Sequence, residues 1–210
     1  MQSLSSFRKP DSFRTLGIEW ELVCNYDHYL ARGTYQGFFY VTTDGSIEAR
    51  EGYGRELVSQ PLPAKWLIKE LERVNKKLNA NNNWTYNSSC GIHVHASRKW
   101  VTSKKVDHLR TFLGEITPAE AHSAFGRVPN SYCRSLAGVN KENHSRYAVH
   151  DPRYYCLNIT NEKTVEFRMF RSGDVKWAQY CVKLVEYMIV NSTHLNKDAF
   201  FAFVDMEQPK

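Results

Sequence analysis

Several short stretches of this chain alternate apolar and polar residues with a period of two, which is the pattern of β-strands with one buried face. In residues 16–24, every second residue from Ile18 to Leu22 is apolar, and Glu19 and Glu21 lie between them. The same kind of alternation or apolar enrichment predicts further strands over residues 38–42, 55–59, 90–97, 154–160 and 164–171. The chain therefore predicts a sheet of six strands.

Helical spacing of apolar residues separates these strands. It predicts helices over residues 64–78 and over residues 103–114. It also predicts a short helix capped by Thr117 and a long helix from Val175 to about His194. The resulting order is β-β-β-α-β-α-α-β-β-α, and its hairpins favour a largely antiparallel sheet with helices packed on one face. The predicted fold class is α+β.

Composition narrows the class of protein. The 210 residues are 42% hydrophobic and carry a formal net charge of +6, which indicates a globular protein with an affinity for anionic partners. Residues 1–14 are interpreted as a flexible leader and residues 15–210 as a single domain. The positive charges are spread along the chain, so nucleic acid is not the favoured partner.

The cysteines and the apolar runs indicate the expected cellular location of the protein. Five widely spaced cysteines without a CxxC pair favour a reduced, cytoplasmic protein and argue against a thiolate zinc site. No apolar run is long enough to cross a membrane, so no membrane partner is expected. The oligomeric state is not indicated by any feature of the sequence.

The polar faces of four predicted strands carry carboxylates and imidazoles. These residues are Glu19, Glu21, Glu56, His93, His95 and Glu166, with Arg168 beside the last. Any one pair is also typical of a strand whose polar side faces water, but burying all these charges together without a cation would be costly. Carboxylate oxygens with an imidazole suit Mg²⁺ or Mn²⁺ better than zinc. The combination therefore predicts a divalent metal site on the open face of the sheet.

Two loops add candidates of a weaker kind. Asp44 precedes Gly45 in a tight-turn sequence, so it either only shapes that turn or also faces the site. The long irregular segment 126–150 is typical of a functional connection. Its cations, which are placed to reach an anionic ligand, are Arg127, Arg134, Lys141 and Arg146.

The order of the motifs GIEWE, TDGSIE, RELVSQP, CGIHVHAS and TVEFRMFR resembles the amidoligase family. These are small ATP-dependent carboxylate–amine ligases related to glutamine synthetase and glutamate–cysteine ligase. The resemblance covers roughly residues 16–190, and CGIHVHAS and TVEFR are its specific parts. It implies that residues 15–210 form a glutamine-synthetase-like catalytic domain. The concave face of its curved antiparallel sheet would hold ATP, at least two Mg²⁺ or Mn²⁺ ions and the carboxylate.

The resemblance also implies roles for individual residues. The implied metal ligands are Glu19, Glu21, Glu56, His93 and Glu166. The implied cofactor-binding residues, which would contact ATP, are His95, Ser97, Arg168 and Arg171. The implied catalytic residues are Arg168, which would steady the transferred phosphoryl group, together with Arg146 and Asp44.

The expected function is ligation of a carboxylate to an amine, forming an amide or peptide bond through an acyl phosphate. Both substrates are expected to be small molecules or peptides. One alternative is a metal-dependent hydrolase or nuclease that uses the same Glu/His cluster, and another is a non-catalytic binding module. The EFR and HxHxS motifs supply more phosphate-binding groups than metal-assisted hydrolysis requires, which favours the ligase.

Overall fold

An eight-stranded antiparallel sheet carries the fold, in a computed structural model that describes residues 14–26, 30–80, 83–137 and 151–210. Its strands are β1 Leu16–Cys24, β2 Tyr35–Gln36, β3 Phe39–Thr42, β4 Tyr53–Ser59, β5 Trp84–Thr85, β6 Gly91–Ser97, β7 Leu157–Asn158 and β8 Thr164–Arg171. The helices in the described residues are α1 Ala64–Asn79, α2 Ser103–Glu115, α3 Pro118–Phe125, α4 Val175–Asn191 and α5 Lys197–Glu207. The predicted α+β class is confirmed.

Strand β1 lies at the centre of the sheet. The strand order is β2-β3-β4-β1-β6-β8-β7, and β5 pairs with the end of β1. Ile18, Trp20 and Leu22 are at most 1% exposed, so the apolar face of β1 is fully buried, as its alternation predicts. The opposite face of the same strand carries Glu19 and Glu21 toward the open side of the sheet.

The helices cover the apolar face of the sheet. Helix α4 contacts both β1 and β6, α1 contacts β1, and α3 contacts β8. Asp174 caps α4 by accepting a hydrogen bond from the backbone N–H of Trp177. Thr117 and Glu120 form the capping box that the sequence predicts at the start of α3. One face of the sheet is thereby left open for polar groups.

A β-bulge in β8 changes which side chains face the helices. Between Ile92 and Val94 of β6, the register with β8 shifts so that Phe170 pairs with Ile92 and Phe167 with Val94. Strict alternation predicts that Phe170 shares the open face with Glu166 and Arg168, and this prediction is wrong. Phe170 is fully buried and packs edge-on against the ring of Phe125 in α3. The extra residue of a bulge reverses the facing of the residues after it in the same strand.

The ends of the fold show further differences from the sequence predictions. The strand predicted over residues 154–160 is limited to Leu157–Asn158, because a 3-10 turn occupies Pro152–Tyr154. Helix α5 was not predicted, although its N-cap Asn196 and its buried Phe200 are both typical helix signals. The predicted leader over residues 1–14 lies, apart from Arg14, outside the described residues.

Neither disulfide bonds nor membrane-spanning helices occur in the part of the chain that the structure describes. All five cysteines are free and buried. Among the described residues, no helix combines the length and apolar character needed to cross a bilayer.

Gly52 is a position where the backbone demands glycine. Its φ is +140°, and a Cβ there would lie 2.6 Å from the carbonyl oxygen of Cys24 in β1. Replacing Gly52 with alanine is therefore expected to lower the free energy of unfolding by about 2–4 kcal/mol, measured by chemical denaturation. Gly45→Ala is the control, because nothing lies within 4 Å of a Cβ there. Equal unfolding midpoints for the two variants would contradict the expectation.

Candidate active site

The strand register places the predicted metal ligands opposite one another on four adjacent strands, β4, β1, β6 and β8. The facing pairs are Glu21 with Glu56, Glu19 with His93, and His95 with Glu166. Facing residues on antiparallel strands have neighbouring side chains on one face of the sheet. The predicted meeting of these groups on one surface is therefore observed, while their roles as metal ligands stay predictions.

His93 lies at the centre of this group, which we call the Glu/His cluster: Glu19, Glu21, Glu56, His93, His95 and Glu166. The Nδ1 atom of His93 is 3.1 Å from Oε2 of Glu19 and 3.4 Å from Oε1 of Glu166, and its Nε2 is 3.7 Å from Oε1 of Glu21. His95 Nε2 is 3.1 Å from Oε1 of Glu19. The buried imidazole of His93 thus contacts carboxylates from two different strands.

Three sets of side chains in the described residues bring potential metal-ligand atoms within 4.8 Å of one another. The sets are Glu19–Glu56–His93, Glu19–His95–Glu166 and Glu21–Asp44–Glu56. The second and third sets share no residue, so the cluster has room for two cations at once. The sequence left open whether Asp44 only shapes its turn or also faces the site. In the structure, Asp44 does both. Its Oδ1 accepts a hydrogen bond from the N–H of Ser46, and it belongs to the third set.

Burial and repulsion among the carboxylates make Glu56 a weaker acid than an isolated glutamate. Burial, followed by the charges of Glu19, Glu21, Asp44 and Glu166, raises the pKa of Glu56 to about 8. Burial likewise raises the pKa of Glu21, against the opposing influence of His93. Carboxylates held this close favour either protonation or a bound cation. The donor set therefore fits a divalent metal ion.

The imidazoles stabilise one carboxylate of the cluster. Burial opposes the charge of Glu19, but hydrogen bonds with His93 and His95 outweigh it and hold the pKa of Glu19 well below its usual range. Burial also opposes the charge of His95, yet the hydrogen bond and charge of Glu19 outweigh that effect and raise the pKa of His95. Glu19 is therefore ionised across the physiological pH range.

The raised pKa of Glu56 predicts how the stability of the metal-free protein depends on pH. Glu56 binds its proton more tightly in the folded chain than in the unfolded chain, whose carboxyl has a pKa near 4.5. Stability in EDTA is therefore expected to fall as the pH rises from about 4.5 to 8, lowering Tm by roughly 5 °C or more. Thermal unfolding at several pH values measures this.

Glu56→Gln and added Mg²⁺ provide the matched tests of that expectation. Glutamine keeps the size of the side chain without its charge, so the variant is expected to show a smaller fall in Tm over the same range. Mg²⁺ is expected to raise Tm more at pH 8 than at pH 5, because the ionised carboxylates bind it. A Tm of the wild-type protein that is flat or rises over this window would contradict the prediction.

Two cavities meet at the Glu/His cluster. The first, which we call the arginine cavity, has a volume of about 410 Å³. It is lined by Glu21 and His93 of the cluster, by Arg127, Arg153 and Arg168, by Tyr132, Tyr154, Asn130 and Ser131, and by Asp44, Ser46, Glu48, Ser88 and Ser89. The lining of this cavity therefore combines carboxylates with arginines and tyrosines.

The second cavity, which we call the Ser97 cavity, is also about 410 Å³ in volume. It contains Glu19 and His95 of the cluster, together with Ser97 and Lys163. Its remaining lining comes from the backbone and side chains around Gly17, Val58, Ser59 and Pro61. Residues of the cluster therefore line both cavities.

Arg168 and Asn158 hold Glu166 in place. Nη1 of Arg168 lies 2.6 Å from Oε1 of Glu166, and the Nδ2 amide of Asn158 donates to Oε2 of the same carboxylate at 2.6 Å. The Arg168 guanidinium also lies over the ring of Tyr154. Sequence reasoning missed Asn158, although its position opposite Glu166 across the β7–β8 hairpin could have indicated it.

One further predicted site residue, Arg171, is not brought to the cluster. The guanidinium of Arg171 lies 5.0 Å from the centre of the Trp177 ring and packs against Gly126, outside the lining of both cavities. Its cofactor-binding role stays a prediction. Arg146 lies outside the described residues.

Comparison with known proteins adds two findings. A sequence model of the family described as "Putative amidoligase enzyme" matches residues 8–136, which include Glu19, Glu56 and His93 but not Glu166. No curated protein matches the chain in sequence. Among solved structures, the chain is similar to a cryo-electron microscopy structure of Plasmodium falciparum glutamine synthetase, with 12% identity and a TM-score of 0.44. That similarity covers 89% of this chain and 54% of the other, so the chain spans about half its length.

Proposed function

The chain belongs to the amidoligase family, and on this basis we propose that it is an ATP-dependent ligase that joins a carboxylate to an amine. The observation that carries the proposal is the convergence of carboxylates and imidazoles from four strands where the two cavities meet. A reaction between a nucleotide and a second substrate requires such a shared boundary. The product is an amide or peptide bond.

The two ligand sets without a common residue are the sites we assign to Mg²⁺ or Mn²⁺. Glu19, His95 and Glu166 would hold one ion, and Glu21, Asp44 and Glu56 the other, with His93 between the sets. This assignment places Glu19 and Glu21, both among the implied metal ligands, on different ions. It gives His95 a metal-binding role in addition to the expected contact with ATP. When bound, the ions supply positive charge next to the phosphates.

The two cavities are assigned to the two substrates by their polar groups. The Ser97 cavity offers the Ser97 hydroxyl and the Lys163 ammonium group, which suit the phosphates of ATP. The arginine cavity offers guanidinium groups and tyrosines, which suit the carboxylate substrate. The γ-phosphoryl group would then move from one cavity toward the other, beside His93 and Arg168.

The chemistry overcomes the low reactivity of a carboxylate. A carboxylate oxygen attacks the γ-phosphorus, the bond to the bridging oxygen of ADP breaks, and an acyl phosphate forms. Arg168 is positioned to donate hydrogen bonds to the moving phosphoryl group, which needs electrostatic stabilisation and no protein nucleophile. The amine then attacks the acyl carbon, loses a proton, and expels phosphate.

A hydroxylamine assay tests this proposal without knowledge of the natural amine. The protein is incubated with ATP, Mg²⁺, hydroxylamine and a panel of amino acids, dicarboxylic acids and short peptides, and both ADP and hydroxamate are measured. The expected result is hydroxamate in amounts equal to ADP with at least one carboxylate, and none with Glu166→Gln. Cleavage of nucleic acid without ATP, and no hydroxamate with any carboxylate, would contradict the ligase and favour the hydrolase.

A further inference from the structure

Three arginines line the arginine cavity, and two of them are already paired with carboxylates. Arg168 pairs with Glu166 at 2.6 Å, and the Nε atom of Arg153 donates to Asp151 at 2.8 Å. Among the described residues, no carboxylate lies within ion-pairing distance of Arg127. Its Nη2 donates instead to the backbone carbonyl of Cys90 at 2.9 Å. The guanidinium of Arg127 therefore retains unused donors at the cavity wall and, although the charge of Glu21 is nearby, makes no direct ion pair among the described residues.

The absence of a side chain at Gly91 leaves space for Arg127 next to the Glu/His cluster. A Cβ on Gly91 would lie 3.2 Å from Nη1 of Arg127 and also 3.2 Å from Nε2 of His93. The missing side chain thus leaves space in which the guanidinium and the imidazole approach each other. Arg127 is partly buried, so an anion that it binds interacts in a less polar medium than water. Its hydrogen bond to Cys90 fixes the guanidinium before any ligand arrives.

The proposed reaction does not need the positive charge of Arg127 at the reacting group. The reacting carboxylate and the phosphates are already served by the ion sites and by Arg168. We propose that Arg127 binds a second, non-reacting anionic group on the carboxylate substrate, an inference that rests on the proposed function. The substrate class is an acid that carries a further carboxylate or phosphate. Asp44 and Glu48 also line the cavity, and their charges would disfavour the second anion next to them.

A pair of nearly isosteric probes isolates the second charge. Glutarate has two carboxylates, whereas glutaramate replaces one of them with a neutral amide. Isothermal titration calorimetry with Mg²⁺ present is expected to show that the wild-type protein binds glutarate at least tenfold more tightly than glutaramate. Arg127→Gln is expected to abolish this preference. Arg73→Gln is the control and is expected to keep it, because Arg73 pairs with Glu70 on α1 and lines neither cavity.

A third probe, 4-phosphonobutyrate, has the same three-methylene spacing as glutarate and separates the two sources of the second anion. Binding tighter than that of glutarate assigns a phosphate-bearing substrate, and weaker binding assigns a dicarboxylate. Arg127→Lys is included because Arg127→Gln also loses the hydrogen bond to Cys90. Lysine keeps the charge but not the paired donors, so we expect a preference between those of the wild-type and glutamine proteins. Circular dichroism checks that each variant is folded.

The outcomes separate this inference from the proposed ligase activity, because binding is measured without turnover. Equal affinity of the wild-type protein for glutarate and glutaramate, including the absence of binding by both, would overturn the role of Arg127. So would an unchanged preference in Arg127→Gln. If Arg127→Gln loses the preference and the hydroxamate assay also fails, the anion-binding role of Arg127 is supported and the proposed ligase activity is rejected.

Discussion

Replacing Glu166 with alanine is expected to lower the rate of ADP and hydroxamate formation by about a thousandfold or more, while the protein stays folded. Glu166 offers a ligand atom next to those of Glu19 and His95, and it also contacts His93, Arg168 and Asn158. Without the carboxylate, one ion site loses a third of its ligand set, and Arg168 loses the group that positions it. Both losses act on the transferring phosphoryl group.

His93→Ala is expected to have an effect of similar size, because His93 contacts Glu19, Glu21 and Glu166 together. Rates are measured with saturating ATP and Mg²⁺, and folding is followed by thermal unfolding. Glu162→Ala is the control, since Glu162 is an exposed carboxylate in the β7–β8 turn. If Glu166→Ala and His93→Ala both unfold, these residues are structural, and the assignment of the site is wrong.

Replacing Arg168 with glutamine is expected to lower kcat by about a thousandfold with a much smaller change in the affinity for ATP. An arginine that stabilises a transferring phosphoryl group typically contributes a factor of about 10³–10⁵ to the rate. Arg168 lines the arginine cavity next to His93, and its buried Nε has no hydrogen-bond partner among the described residues. The guanidinium therefore has a donor available for a ligand.

Arg171→Gln is the matched control for Arg168, because both arginines lie on β8. Arg171 packs on Trp177 and not in either cavity, so its loss is expected to change kcat and the KM for ATP by less than about threefold. A large rise in the KM for ATP in Arg171→Gln would instead support the cofactor-binding role that the sequence motif implies. An Arg168→Gln enzyme with normal kcat would reject the role of Arg168 in phosphoryl transfer.

The predicted elements that agree with the structure are those whose signals are local. Alternation over residues 16–24 depends only on the two-residue period of a strand, and the structure reproduces both of its faces. The N-caps at Thr117 and Asp174 are equally local, because each hydrogen bond spans three residues. Helix α5 and the short β7 were missed or misjudged, because in each case packing against the rest of the fold outweighs a weak local pattern.

The site was predicted in its residue types but not in its arrangement. Period-two spacing and motif order indicated which carboxylates and imidazoles share a face. Strand register decides that Glu21 lies opposite Glu56, and no pattern within either strand specifies that pairing. The same holds for Asn158, which reaches Glu166 only because β7 pairs with β8.

The sequence by itself determined the α+β class, the polar face of the central strands and the family to which the chain belongs. Only the tertiary structure decided that a bulge turns Phe170 into the core, that Arg171 packs on Trp177, and that Arg127 lies close to His93. The physical reason is that side-chain alternation is a property of each strand alone. Register, bulges and the approach of a loop to a glycine depend on contacts between segments that are far apart in the chain.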